Sequence, residues 1–207
     1  MPKGFFITGT DTGVGKTIIS AALVKAVQFL GFRAVGMKPI ETGCKRPVIS
    51  RQHIEHRDDS LIPSDGKFLK AISNSDESLD LITPVRFENP LAPMAASEIE
   101  RIPVDMGKIT NAFATLAYKY TVVIIEGIGG ILVPITKDYS VLDMAKDFGL
   151  PIIVVTRPGL GMINHTLLTV NYALKEGLTV GGIIINYSRP AEGTIAEQTN
   201  PKVLATI

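Results

Sequence analysis

Four residues of strand character, Phe5 to Thr8, run directly into GTDTGVGKT, Gly9 to Thr17, and the apolar period of a helix begins at once. A strand, a glycine-rich turn and a helix in immediate succession form the context of a phosphate-binding loop. Phosphate oxygens need several N–H donors close together. Glycines let the backbone turn inward to supply them, and the helix amino terminus adds a favourable dipole. Lys16 contributes a point charge, and Thr17 carries a hydroxyl suited to Mg²⁺ bridging the outer phosphates. The loop is a variant, because the common pattern wants glycine at position 10, where this chain has Thr10 with Gly9 one place earlier.

Beyond the loop, short β-branched runs bounded by Gly or Pro alternate with longer segments of helical period. This is the pattern of an α/β fold around a mostly parallel sheet. The spacing predicts strands over 5–8, 34–38, 122–126, 152–156 and 180–186, and helices over 16–30, 65–73, 105–118, 140–148 and 164–176. Glu41 to Pro63 is polar, charged and too long for a passive tight connection. It reads as either a lid or a surface loop.

The chain has 207 residues, 45% of them hydrophobic, which suffices for one well-packed domain spanning 1–207. Lys plus Arg number 21 against 20 Asp plus Glu, so no global basic field points to nucleic acid or an anionic membrane. Cys44 is the single cysteine, which excludes an internal disulfide framework and fits a reducing compartment. The amino terminus is too short in apolar residues for a signal peptide, and no run reaches the roughly 20 needed to span a bilayer. A cytoplasmic protein is expected.

Two further residues stand where open α/β sheets bind ligands. Glu126 closes the apolar run VVII, at the carboxyl end of a central strand, where a metal ligand should lie. Gly127, Gly129 and Gly130 follow and let the backbone pass close to something bound. Lys38 ends the second strand in VGMKPIETG, followed by Pro39, Thr42 and Gly43. Two lysines and two hydroxyls thus converge on one crevice.

Taken together and in order, GTDTGVGKT, KPIETG, EGIGG and GGIIIN resemble the dethiobiotin synthetase family over residues 5 to about 190. The resemblance implies a three-layer P-loop NTPase-like fold and a homodimer. It implies that Gly13, Val14, Gly15, Lys16, Thr17 and Ile18 hold ATP phosphates, with Gly127, Ile128 and Gly129 nearby. Thr17, Glu126 and a third ligand from the loop after KPIETG would bind Mg²⁺. Asp65, in IPSDGKFL, matches that third ligand better than Asp58 or Asp59. Lys38 would be the catalytic lysine beside Lys16, with Thr12 and Thr42 near the substrate. PGLGMINHTLLT resembles the family's segment that reaches substrate across a dimer interface, putting Gly161 and Asn164 there. His165 beside them is assigned no chemistry. Asn186 matches an adenine-recognising asparagine, followed by Tyr187.

The activity implied is an ATP- and Mg²⁺-dependent cyclo-ligase of biotin biosynthesis. It takes 7,8-diaminononanoate and CO₂ or bicarbonate as small-molecule substrates, with no nucleic acid or membrane partner. The family usually continues past a region like NPKVLATI with a strand and a G-x-x-P loop around the base. With Ile207 the last residue, either a shortened chain or a base pocket lacking that part is expected. A partitioning or septum-site ATPase is the main rival, but such proteins carry a lysine five residues before the loop lysine, where this chain has Asp11. A non-catalytic or amidoligase-like nucleotide binder is disfavoured by Lys38.

Overall fold

The computed structural model describes residues 3–47, 61–187 and 193–207. In chain order the elements are β1 (Lys3–Gly9), α1 (Lys16–Phe29), β2 (Ala34–Met37), β3 (Ile40–Glu41), α2 (Ser64–Ser73), α3 (Leu79–Ile82), β4 (Val85–Arg86), α4 (Pro93–Glu100), α5 (Met106–Lys119), β5 (Val122–Gly130), β6 (Pro134–Thr136), β7 (Tyr139–Ser140), α6 (Val141–Phe148), β8 (Ile152–Thr156), α7 (Met162–Lys175), β9 (Val180–Ile185) and α8 (Ile195–Leu204).

The five β-branched runs pair in the order β2-β5-β1-β8-β9. Every pairing among them is parallel. A parallel sheet needs both faces covered, and alternate residues of each strand do go to opposite sides. Phe6, Val35, Val123, Ile125 and Val154 join a cluster with Ile109 and Leu116 of α5 and Met144 and Phe148 of α6. Ile7, Ala34, Ile124 and Val155 pack instead with Val24 of α1. On the first face Phe148 stacks at 4.5 Å between ring centroids on Phe113 and at 6.2 Å on Phe6. The result is the three-layer α/β arrangement expected from the sequence.

Element boundaries differ from the sequence reading in ways that matter for the site. β5 does not end at Glu126 but runs on to Gly130, pairing past a register shift with Gly9. Glycine permits this, because a Cβ on Gly127 would stand 3.0 Å from the Phe6 ring and 3.2 Å from the Ile7 carbonyl. Glu126 keeps its predicted level in the sheet, since its partner on β1 is Ile7 and β2 has already ended at Met37, paired with Ile125. α6 starts one residue later than predicted, because Ser140 is its cap, in a capping box with Asp143.

Hydrophobic period did not predict α3, α4, α8 or the strand pairs β3-β4 and β6-β7. Strands of two or three residues have no period to read. α4 opens on Pro93, and α8 carries Pro201 inside it, so both resemble breaks. Of the stretch 41–63 read as a lid or loop, residues 48–60 lie outside the described residues.

Because Phe148 is buried against two other rings, Phe148→Ala should destabilise the chain by about 3–5 kcal/mol, the usual range for emptying a large aromatic site in a core. Urea unfolding followed by circular dichroism measures it, and a loss under about 1 kcal/mol would mean that this face of the sheet repacks freely.

Candidate active site

The phosphate-binding loop closes over its own lysine. Gly13 and Gly15 both have positive φ, 75° and 92°, which glycine adopts without strain. Gly15 is also the amino-terminal cap of α1. Gly9 is held to glycine by space: an added Cβ would meet Val14 Cγ2 at 2.8 Å, the Asp11 carbonyl at 2.9 Å and Lys16 Nζ at 3.2 Å. Thr10, where the common pattern has glycine, donates its hydroxyl to Thr156 Oγ1 on β8, 3.2 Å away. Lys16, only 6% exposed, donates to the Asp11 carbonyl at 3.1 Å. Burial, helped by the neighbouring Lys38 charge, pushes its ammonium down to a pKa of about 8.

A second lysine in the same cleft is paired with two carboxylates. Lys38 leaves β2 with its backbone N–H bonded to the Ile82 carbonyl at 2.8 Å, and its side chain is 6% exposed. Its Nζ donates to Glu126 Oε1 at 2.6 Å and to the Gly127 carbonyl at 3.3 Å, and pairs with Asp65 Oδ2 at 3.2 Å. Burial alone would strip the proton from Lys38, but the two carboxylates outweigh it and hold the ammonium above its ordinary range. Burial likewise pushes the Glu126 carboxyl upward, and Lys38 restrains that rise. Thr17 donates to the same Glu126 Oε1 at 2.8 Å.

Glu126 Oε2 is buried with no hydrogen-bond partner among the described residues. An orphaned carboxylate oxygen costs free energy unless something binds it. Thr17, Glu126 and Asp65 are all hard oxygen donors, the set Mg²⁺ prefers, and Mg²⁺ characteristically takes one or two carboxylates and completes its shell with phosphate and water. The residues present fit that ion.

These groups line a cleft of about 710 Å³. Thr12, Gly13, Gly15, Lys16, Thr17, Ile18, Lys38, Thr42, Asp65, Glu126, Ile128 and Gly129, all singled out from sequence, lie in its wall. Five lining residues were not: Glu41, Pro90, Leu91, Ala92 and Val133. The last four arrive from the segment before α4 and the turn after β5, and no motif marks them. Glu41 is a different case, because its carboxylate accepts from α2, whose own cap position is Pro63.

Other expected residues fall elsewhere. Val14 is buried against the sheet rather than in the cleft, and Gly127 contributes its carbonyl to Lys38. Asn186 reaches the back of the loop, where its Nδ2 donates to the Val14 carbonyl at 2.9 Å. The Tyr187 hydroxyl donates to the Glu197 carbonyl at 3.2 Å, which Pro201, lacking an N–H, leaves open inside α8. Gly161 caps α7 with positive φ, and Asn164 lies exposed in its first turn. Neither lines the cleft of its own chain. Asp58 and Asp59 lie outside the described residues. Cys44 is buried, as expected for a thiol without chemistry, and burial pushes it up to about 12. Also unforeseen was the ion pair of Asp11, inside the loop, with Arg157 after β8, which offsets a negative charge where phosphate would approach.

Residues 3–207 match the AAA domain family. The ATP-dependent dethiobiotin synthetase BioD of Thermodesulfovibrio yellowstonii is 48% identical over 211 residues, covering 99% of this chain and 84% of that protein. The enzymes of the same name from Bacillus subtilis, 42% identical over 98% of this chain and 81% of that protein, and Methanocaldococcus jannaschii, 42% over 87% and 78%, are similar. Among solved structures, a ParA family ATPase from Chlorobium tepidum superposes with a TM-score of 0.51 at 14% identity, over 99% of this chain and 82% of that one. The kinase domain of the Escherichia coli tyrosine kinase ETK does so at 0.50 and 15%, over 93% and 72%. Those two share the fold alone. Identity above two in five residues along nearly the whole chain is another matter, and by it the chain belongs to the ATP-dependent dethiobiotin synthetase family.

Proposed function

We propose that this cleft closes the cyclic urea of dethiobiotin, joining 7,8-diaminononanoate and CO₂ at the expense of ATP, with Lys38 as the residue that makes it a ligase rather than a nucleotide switch. The observation that carries this reading is the buried Lys38 ammonium, held by Glu126 and Asp65 in the wall of the cleft that the phosphate loop also lines. Lys16, Thr17 and the loop N–H groups account for nucleotide binding without it.

One amine of the diamine takes up CO₂ as a carbamate, losing a proton. A carbamate oxygen attacks the γ-phosphorus, the bond to the bridging oxygen breaks, and ADP leaves. The second amine attacks the carbonyl carbon of the mixed anhydride, phosphate departs, and the ring is closed. Negative charge builds on phosphoryl and carbamate oxygens throughout. Lys16, the N–H groups of Gly13 to Ile18, and Lys38 are the cations and dipoles that meet it, already oriented before reaction. Thr17, Glu126 and Asp65 would hold Mg²⁺, which supplies further neutralisation of phosphate charge when bound. Thr12 and Thr42 offer hydroxyls to the substrate.

Gly161 and Asn164 serve the site of a second copy of the chain, so the working unit is a homodimer. Their exposure at the start of α7, away from their own cleft, supports this. Asn186, whose Nδ2 donates to the Val14 carbonyl at the back of the loop, would take the base once nucleotide is bound, with Tyr187 next to it in sequence. The buried free thiol of Cys44 supports a reducing, cytoplasmic setting.

Three outcomes test the reading. ATP brings anionic oxygens to Lys16 and should return its pKa toward the ordinary lysine value. Since the loop lysine starts near 8, binding should take up almost no proton at neutral pH and approach one at about pH 9. Calorimetry in buffers of different ionisation enthalpy reads this directly, and equal uptake at both pH values would remove Lys16 from the phosphates. Lys38→Ala should bind MgATP nearly as the parent does yet lose on the order of a hundredfold or more in phosphate release with diamine and bicarbonate. The Glu126 carboxyl, already pushed upward by burial, can take a proton in place of its lost partner. Lys38→Arg should rescue poorly, because a planar fork does not replace a compact ammonium, and near-parental turnover of the alanine variant would defeat the mechanism. Finally, if sites are shared, mixing inactive Lys38→Ala with inactive Asn164→Ala should restore about a quarter of parental activity, since half the dimers are mixed and each has one intact site. No recovery on mixing would return each site to a single chain.

A further inference from the structure

We propose that Glu41 is a positioning residue for the metal-binding end of the cleft: it caps α2 from outside the helix and thereby sets the place of Asp65. This rests on the reading above that Asp65 helps hold Mg²⁺.

Glu41 is 2% exposed although it lines the cleft. Its carboxylate is fully committed. Oε1 accepts from Ser64 Oγ at 3.1 Å and from the Asp65 N–H at 3.0 Å, and Oε2 accepts from the Gly66 N–H at 2.9 Å. A buried carboxylate with both oxygens engaged is not a free ligand for metal or substrate. It is a helix cap delivered from another part of the chain, because the residue preceding α2 is Pro63, which has no capping side chain. The mount is stiff: the Glu41 carbonyl accepts from the Phe87 N–H at 2.9 Å, which fastens β3 to β4.

The helix end it holds has nowhere else to go. A Cβ on Gly66 would stand 2.0 Å from Thr83 Oγ1, so α2 is pressed against the turn that follows α3. Between the Ser64 and Gly66 contacts sits Asp65, whose carboxylate meets Lys38 at 3.2 Å. Asp65 is also far more exposed than Glu126, at 36% of its side chain against 1%. An exposed carboxylate on a first helical turn would otherwise sample many positions. Outer groups that orient a ligand commonly matter to metal affinity by ten- to a hundredfold.

The test is Glu41→Gln, which keeps the shape but turns an N–H₂ toward one of its donors. The Mg²⁺ concentration for half-maximal phosphate release should rise about tenfold, while affinity for ATP measured without Mg²⁺ stays within about twofold of the parent. In the nucleotide-free chain, amide exchange at Asp65 and Gly66 should quicken. Asp65→Asn is the companion variant. If it raises the Mg²⁺ requirement and Glu41→Gln does not, the positioning role is overturned. If neither variant moves it, Asp65 is no metal ligand and this inference falls with that reading. A loss of ATP affinity and turnover together, at an unchanged Mg²⁺ requirement, would reduce Glu41 to a structural cap. Should the glutamine variant fail to fold, Glu41→Asp, charged but one methylene short, is read the same way and should shift in the same direction by less.

Discussion

A buried ammonium between two carboxylates, Lys38 between Glu126 and Asp65, is the interaction around which the rest of this structure is arranged. Ion pairs in the interior seldom stabilise a fold, because desolvation consumes most of the Coulombic gain. Hydrophobic residues of the same volume would serve stability as well. What the cluster provides is charge fixed in place before any ligand arrives, at the carboxyl end of a parallel sheet, where β2 delivers Lys38, β5 Glu126 and α2 Asp65. Glu126 Oε2 has no partner among the described residues, and burial pushes the Lys16 ammonium down to about 8.

The sheet order explains how residues far apart in sequence come to share that space. β5 is inserted between β1 and β2, so Glu126 lies beside both the phosphate loop leaving β1 and the lysine leaving β2. The glycines after Glu126 let β5 run on past the end of β2 to pair with Gly9 at the start of the loop. Around this rigid centre the second tier of contacts comes from short, irregular pieces. The β3-β4 pair carries Glu41 to α2, and the Arg157 loop carries a cation to Asp11.

Fold similarity and chemistry separate clearly here. Proteins of 14–15% identity share the framework, among them an ATPase and a tyrosine kinase domain. The framework delivers a phosphate loop to a sheet edge and leaves open what stands opposite it. In this chain that place is taken by Lys38 and the carboxylates around it.

The sequence by itself determined everything governed by local period and local stereochemistry. The five main strands and five of the helices are legible because their apolar residues repeat at the spacing of the surface they bury, and the phosphate loop because only glycines permit its φ angles. Lys38 and Glu126 are legible because strand ends in such a sheet face the ligand crevice. Tertiary structure alone decided the rest: that Glu41 rather than a local residue caps α2, that Tyr187 is spent on the carbonyl opened by Pro201, and that Asn186 supports the back of the loop. Each is a hydrogen bond between segments ten or more residues apart, satisfying a backbone group or carboxylate that one piece of chain leaves exposed. Side-chain type announces such a partner without naming it, and only the folded chain brings the two together.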